Sequence, residues 1–458
     1  MTIHSSVDDG RRARLKPVTP VAEITRFGAT TAHAAAGVGR FVVHTVGDAL
    51  QGRAPNAKRV AHEIRTTFEH LGPTYVKLGQ LIASSPGVFT ETLSSEFESL
   101  LDRVPAADSA VVRDVFTAEL GAPPEEIFAS FDTTPIASAS IAQVHTATLH
   151  DGEEVVVKIQ RPGISERLAP DVAILERVAG LAEISEYGRM LSARHVVEDF
   201  ATGLDAELDF RIEADAMREW YECLRDGPFG DRVRVPTVYD EFTTSRVLTM
   251  ERIHAVRIDD AAAVRAAGHD GVALCRNLLL SLLESAFHGG LFHGDLHAGN
   301  VLVDAEGTLV LLDFGIVGRF TPRTRRILRQ LVVDLIVRGD YESAGRAIFL
   351  LGAVHRPGST SGSAADIEKV AAPLSTTDLG SMSYTDLGRQ LAAVAKAYDA
   401  RLPRELVLVG KQLLYVEKYM KLLAPRWKAM ADKEIYGYMA GILKEAERDR
   451  RAEKSSQG

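Results

Sequence analysis

Apolar and polar positions along the 458-residue chain change period several times, and the changes divide it. Helical spacing runs from about Ala57 to Phe128. Within it Gly72 and Pro73 open a helix with proline in the first turn. Tyr75, Leu78, Leu81 and Ile82 form its apolar face, while Lys77, Gln80 and Ser84 lie opposite at i, i+3 and i+7. Residues 131 to 161 carry short strand-like runs, VHTATL and EEVVVKIQ, around His150-Asp151-Gly152, and this predicts a hairpin. Helical periodicity returns from about Asp171 to Leu224. Val197, Phe200, Leu204, Leu208 and Ile212 recur every three or four positions and predict one amphipathic helix from Val197 to Leu224. A strand-like pair, VRVPTVYDEF and SRVLTME, precedes a mostly helical second half that VLVDAEGTLVLLDFG interrupts as a second hairpin.

The ends are simpler. Residues 1 to about 20 read as a disordered polar tail. The Ala-rich stretch from Val21 to Leu50 is helical in propensity, weakened by Gly28, Gly37 and Gly39, and reads either as a packed helix or as one lying on a membrane surface. HRPGSTSGSA, at His355 to Ala364, reads as a loop, and residues from about Lys444 read as a charged tail. No run of 18 apolar residues predicts a membrane span. The helix near LVLVGKQLLYVEKYMKLL is interrupted by Lys411, Glu417, Lys418 and Lys421, so membrane contact there would be peripheral.

Charge narrows the function classes. With 53 Lys and Arg against 62 Asp and Glu, the formal charge is -9, which argues against a nucleic-acid partner. Two cysteines, Cys223 and Cys275, make no disulfide framework, and the first residues lack the apolar core of a secretory signal. A reducing, cytoplasmic setting is expected.

The chemistry lies in HGDLHAGN, His293 to Asn300, followed by LLDFG, Leu311 to Gly315. Asp295 and Asn300 are five apart, and Asn300 and Asp313 thirteen apart, with a hairpin between them. This is the spacing of a kinase catalytic loop and its metal-binding aspartate. Phosphoryl transfer needs a carboxylate near the acceptor, here Asp295, and oxygen ligands for magnesium, here Asn300 and Asp313. His293 is expected to anchor the loop through its ring nitrogens. His297 stands where many protein kinases carry lysine, and an imidazole would stabilise transferred-phosphate charge less.

The nucleotide side is expected upstream. Lys158 ends VVVK as the lysine that pairs with the α- and β-phosphates of ATP. No GxGxxG precedes it; PIASASIAQVH, Pro135 to His145, stands in its place, and each Ala adds a Cβ that limits close backbone approach. Ala137, Ser138, Ala139 and Ser140 are thus the candidate phosphate loop. Lys158 needs a carboxylate partner, usually from a helix soon after the strand; Glu176, eighteen residues on, is the first choice, and a second candidate lies much further along.

These residues resemble the ABC1 family of atypical kinases, also called UbiB or AarF, over roughly Leu71 to Arg426. The resemblance rests on KLGQ (Lys77 to Gln80), ASAS (Ala137 to Ser140) before VVVK, ELD (Glu207 to Asp209) with Glu213, and HGDLHAGN with DFG. LLDRVP (Leu100 to Pro105), RPG (Arg161 to Gly163) and LTME (Leu248 to Glu251) are smaller matches. It implies that Glu213, not Glu176, pairs with Lys158 as part of the catalytic set with Asp295, and that Glu251 belongs with the nucleotide-binding residues. It also implies an α+β, two-lobed protein-kinase-like fold with an N-terminal helical extension covering the active site. In that extension Lys77 and Gln80 belong with Glu207 and Asp209. On a regular helix Glu207 and Asp209 lie about 200° apart, so Glu207 is expected to meet Lys77 and Asp209 to face the nucleotide side.

The expected divisions are a tail at 1–20, the extension at 21–130, a first lobe at 131–252, a helical lobe at 253–443 and a tail at 444–458. The expected function is an ATP- and Mg-dependent kinase or ATPase, linked through the resemblance to isoprenoid quinone or lipid metabolism, with a small-molecule or lipid acceptor. A phosphotransferase of the aminoglycoside or choline type, and a nucleotide-dependent scaffold, are the alternatives. KLGQ, ELD and the Ala-rich loop favour the first.

Overall fold

The structure, a computed structural model, describes residues 25–33, 36, 57–83, 91–97, 106–184, 193–338, 340, 343, 347, 351 and 404–456. The tail at 1–20, the stretch from Gly37 to Leu50, LLDRVP, Ser84 and the loop from His355 lie outside them. Helices are α1 Ala57–Leu71, α2 Pro73–Ala83, α3 Glu91–Phe97, α4 Ser109–Leu120, α5 Pro124–Ile127, α6 Ile164–Ala182, α7 Ala193–Glu207, α8 Phe210–Arg225, α9 Ala261–Ala266, α10 Gly271–Glu284, α11 Pro322–Val332, α12 Arg404–Leu423 and α13 Lys433–Ser456. Strands are β1 Ser130–Phe131, β2 Ala137–Ser138, β3 Ala142–Thr148, β4 Glu154–Gln160, β5 Val233–Arg234, β6 Val247–Glu251, β7 Val256–Arg257, β8 Leu291–His293, β9 Val301–Val303, β10 Leu309–Leu311 and β11 Val317–Arg319.

Two compact units result, Met1–Ala214 with Thr237–Arg252, and Asp215–Pro236 with Ile253–Gly458. The first carries an antiparallel sheet in the order β1-β3-β4-β6, with β2 also paired to β3. The expected hairpin is β3 and β4, turned at Gly152 with φ +94°, a conformation glycine adopts without a Cβ clash. Along β4 the period of two buries Val155, Val157 and Ile159 against Val115 and Phe116 of α4 and Phe128. Lys158 therefore leaves the opposite face. A second cluster packs Leu168 and Val172 of α6 with Phe200 and Leu204 of α7, Phe210 of α8, and Leu248.

Several expectations change. The single helix from Val197 to Leu224 is two, because the chain breaks at Leu208 and Asp209. The break re-phases the apolar face: Val197, Phe200, Leu204 and Leu208 are buried, whereas Ile212 is 38% exposed and Phe210, Ala214 and Met217 are buried instead. Helix α6 begins at Ile164, not near Asp171, with Gly163 in left-handed conformation before it and Pro170 inside. One proline removes one backbone donor, a local loss that the buried Leu168 and Val172 outweigh. VRVPTVYDEF and SRVLTME each supply a strand as expected, but to different sheets: β5 pairs in parallel with β10, and β6 pairs with β4. Pro236 has no N–H to extend β5, and the residues from Asp215 to Pro236 go with the second unit rather than the first lobe.

The second unit holds a four-stranded sheet, β5-β10-β9-β7, and the pair β8-β11. The second predicted hairpin is β9-β10, turned at Gly307, with Asp304 Oδ1 accepting from Thr308 N at 2.8 Å. Leu274, Cys275, Leu278 and Leu282 make the buried side of α10. The charged tail is corrected to the last turns of α13, because its charges have partners: Glu445 with His288, Glu447 with Arg338 and Asp449 with Arg329.

Candidate active site

In the first unit β4 presents Lys158 and α8 presents Glu213. The ammonium lies 2.9 and 2.8 Å from the two carboxylate oxygens, and 5.2 Å above the Phe210 ring centroid. Glu213 is 5% exposed, so its partner must be fixed locally for the carboxylate to be buried at all. Glu176 is exposed on α6, away from this role.

The Ala-rich run folds as strand β2 against β3, with Ala137 opposite Val144 and Ser138 opposite Gln143. Ala139 N donates to Ala142 O at 2.8 Å, which closes the turn, and Ser140 is buried within it. Arg161, just after β4, holds the turn from outside. Its Nε donates to Ala139 O at 2.8 Å and its Nη2 to Ser138 Oγ at 2.7 Å. Burial lowers the pKa of this guanidinium, and Arg167 adds to the effect. The carboxylate of Glu251 accepts from Thr237 N at 3.1 Å at the end of β6.

The helix break separates the acidic residues. Glu207, at the end of α7, lies 3.0 Å from Lys77 Nζ of α2, with side-chain exposures of 13% and 17%. Gln80 sits one turn after Lys77, partly buried. Asp209 is buried in the break, where it accepts from Arg211 N at 3.1 Å and from the Arg211 guanidinium at 2.8 and 2.6 Å. Asp209 thereby caps the start of α8. Further out, the buried Asp171 holds Arg26 Nε at 2.6 Å and Thr74 Oγ1 at 2.7 Å, tying the helical residues 25–33 to α6 and α2.

In the second unit His293 ends β8 and is buried. Its Nε2 donates to Leu312 O at 2.9 Å and its Nδ1 accepts from Asp295 N at 3.0 Å, so one ring locks both motif segments. Burial lowers its pKa and keeps this neutral tautomer. Gly294 N donates to Ile316 O at 2.9 Å, and a Cβ at 294 would meet Ile316 at 2.6 Å. Asn300 Nδ2 donates to Asp295 O at 3.0 Å, which fixes its side-chain amide against the loop. Asp313, exposed and at φ +56°, is the one described residue other than glycine with positive φ, and its Oδ1 accepts from Gly315 N at 3.2 Å. Phe314 behind it packs on His293 and Trp220.

An amide oxygen and a carboxylate suit a hard cation such as magnesium. Among the described residues no group of three or more His, Cys, Asp or Glu has metal-binding geometry. Sequence reasoning missed Lys411 and Gln412 of α12, which contact the Asp295 loop, and Arg161 as the clamp of the Ala-rich turn. The available signal for the first two was a polar Lys-Gln pair inside the apolar run LVLVGKQLLYV.

A model of the ABC1 atypical kinase-like domain matches residues 99–347. An uncharacterized protein of Mycobacterium tuberculosis is 54% identical over 416 residues, 91% of this chain and 85% of the relative. The probable protein kinase UbiB of Shewanella loihica is 33% identical over 370 residues, 79% of this chain and 66% of its own. Among solved structures, the complex of Rv3197 with erythromycin from Mycobacterium tuberculosis matches with a TM-score of 0.50 at 26% identity, over 70% of this chain and 84% of that one. Among the described residues no helix is long and apolar enough to cross a membrane.

Proposed function

Because the chain belongs to the ABC1 atypical kinase-like family, we propose that it is an ATP- and magnesium-dependent phosphotransferase or ATPase. The observation that carries this reading is the Lys158–Glu213 pair at 2.8 Å, a lysine on a strand held by a buried glutamate from a helix. In the first unit Lys158 would bind the α- and β-phosphates and the turn from Ala137 to Ser140 would lie against the nucleotide, with Glu251 near it. In the second, Asn300 Oδ1 and Asp313 would hold magnesium, which when bound supplies charge neutralisation on the phosphates. Asp295 would take the proton of the attacking hydroxyl or water.

Lys77 and Gln80, with Glu207, form a regulatory extension in this proposal, and Asp209 acts indirectly by capping α8 ahead of Glu213. The acceptor is a lipid or other lipophilic small molecule, with an isoprenoid quinone precursor the first to test. The erythromycin held by the related solved structure is also a bulky small molecule, and it supports that class over a peptide. Membrane contact would be peripheral.

Calorimetry and an ADP-release assay test the reading together. Mg-ATP should bind the wild-type chain, and Asp295→Asn should keep that affinity within about twofold while losing turnover by roughly a hundredfold or more. Wild-type turnover in Asp295→Asn, or no Mg-ATP binding by the intact chain, would overturn it.

A further inference from the structure

The carboxylate of Asp295 has a partner 116 residues further along the chain. Lys411 Nζ, on α12, donates to Asp295 Oδ1 at 3.0 Å, and the two side chains are 15% and 24% exposed. The neighbouring Gln412 is fully buried and grips the backbone on both sides of Asp295. Its Oε1 accepts from Leu296 N at 2.7 Å and its Nε2 donates to Gly294 O at 2.6 Å. Two turns on, Tyr419 O–H donates to Leu296 O at 2.7 Å, and burial raises its pKa so that it remains a donor. One helix therefore fixes the loop before, at and after the aspartate.

The nitrogen-bearing side chain nearest to Asp295 within its own loop is poorly placed. His297 Nε2 lies 3.8 Å from Asp295 Oδ2, beyond hydrogen-bond range. Its Nδ1 accepts from Gly299 N at 3.0 Å, and that nitrogen offers no proton. Position 297 is where many protein kinases carry lysine; here the ammonium beside the aspartate comes from α12 instead.

We propose that Lys411 is a positioning residue for phosphoryl transfer, holding Asp295 through Oδ1 so that Oδ2 is the oxygen offered to the acceptor. The inference rests on the reading of Asp295 given above. In the step, the bond from the γ-phosphorus to the β,γ-bridging oxygen breaks and its electron pair leaves with ADP. A bond forms from the acceptor oxygen to the same phosphorus, and the acceptor proton passes to Asp295 Oδ2. With Oδ1 tied to an ammonium, rotation of the carboxylate is stopped and the proton has one destination. The fixed positive charge also lies beside the site where the phosphoryl group meets the acceptor, where a preorganised charge is most effective.

The test uses the full chain, ATP hydrolysis followed by ADP release, and the variants Lys411→Met, Lys411→Arg, Asp295→Asn and the double change Lys411→Met with Asp295→Asn. Lys411→Met should lower kcat by roughly a hundredfold with the KM for ATP within about twofold, and Lys411→Arg should recover at least about tenfold of that loss, since it restores the charged donor. Adding Lys411→Met to Asp295→Asn should cost nothing more, because the two act as one unit. If Lys411→Met fails to fold, Lys411→Gln, which keeps a donor and loses the charge, takes its place with the same expectations. Wild-type kcat in the neutral variant, a loss expressed only in KM, or an Arg variant no better than Met would overturn the proposal. If Asp295→Asn is inactive while Lys411→Met is not, this inference alone fails. If Asp295→Asn matches the wild type, the reading of Asp295 fails first.

Discussion

Removing the Lys77 ammonium should destabilise the first unit far more than loss of an ordinary surface lysine. At the 3.0 Å separation from Glu207, an effective dielectric of about 20 gives a gross attraction of about 5.5 kcal/mol. Desolvation offsets much of this in the intact pair, but in Lys77→Ala the Glu207 carboxylate stays in its 13%-exposed position without its counter-charge. One-sided removal of a buried pair costs about 3 to 5 kcal/mol, and the residual exposure of both partners places this pair near the lower end. For a unit of this size that is a fall in melting temperature of about 6 to 12 °C. The chain's two tryptophans, Trp220 and Trp427, both belong to the second unit, so intrinsic fluorescence would follow the wrong half. Calorimetry, with hydrogen exchange at α2 and α7, reads the right one. Lys77→Ala combined with Glu207→Ala should recover about 1 to 2 kcal/mol relative to the sum of the single losses, and ATP turnover should change in the single variants. Strictly additive losses with unaltered turnover would refute both the coupling and the regulatory role of the extension.

Asp313→Asn should weaken magnesium-dependent ATP binding by more than about tenfold, roughly 1.4 kcal/mol, and calorimetry with and without magnesium checks it. Arg161→Gln should free the turn at Ser138 and Ala139 and raise the KM for ATP several-fold while leaving the melting temperature nearly unchanged; an unaltered KM would show that the clamp is idle. The pKa of His288 is raised, first by its hydrogen bond to Glu284 and then by Glu445. Its folded value lies above its unfolded one, so its stabilisation is complete below the unfolded pKa, about 6.5, and is lost as pH rises through the folded value. Hydrogen exchange in α13 should therefore quicken across that interval in the wild type and show no such step in His288→Gln.

Both hairpins were legible because alternation and a turn glycine coincide: Val155, Val157 and Ile159 alternate beside Gly152, and Val301 to Leu311 surround Gly307. The helix break at Leu208 was not, since Ile212 continues the apolar spacing and nothing local shows that Asp209 will be satisfied by Arg211 two residues on. The angular conflict between Glu207 and Asp209 was the one sign of it. The spacing of Asp295, Asn300 and Asp313 is a local property and was readable, as was the anchoring part of His293. The partner of Lys158 was not readable from spacing alone, because Glu213 is 55 residues away and the nearer Glu176 fits a simple rule equally well. The same limit hid Lys411, whose charge looked like a solvated interruption of an apolar helix until tertiary structure brought it to Asp295. The charged end of α13 looked like a tail for a related reason: its acidic residues have basic partners on other elements.

The dependence of the Asp295 loop on α12 also sets an order of events during synthesis. At about 5 to 20 residues per second, the 116 residues that separate Asp295 from Lys411 occupy the ribosome for roughly 6 to 23 s. Through that interval the nascent loop has its own hairpin but lacks the donors and acceptors of Gln412 and Tyr419, and the carboxylate lacks its ammonium. On the proposed function, a growing chain therefore lacks the contacts that hold Asp295 until synthesis has passed α12, and the loop is set for catalysis only after that point.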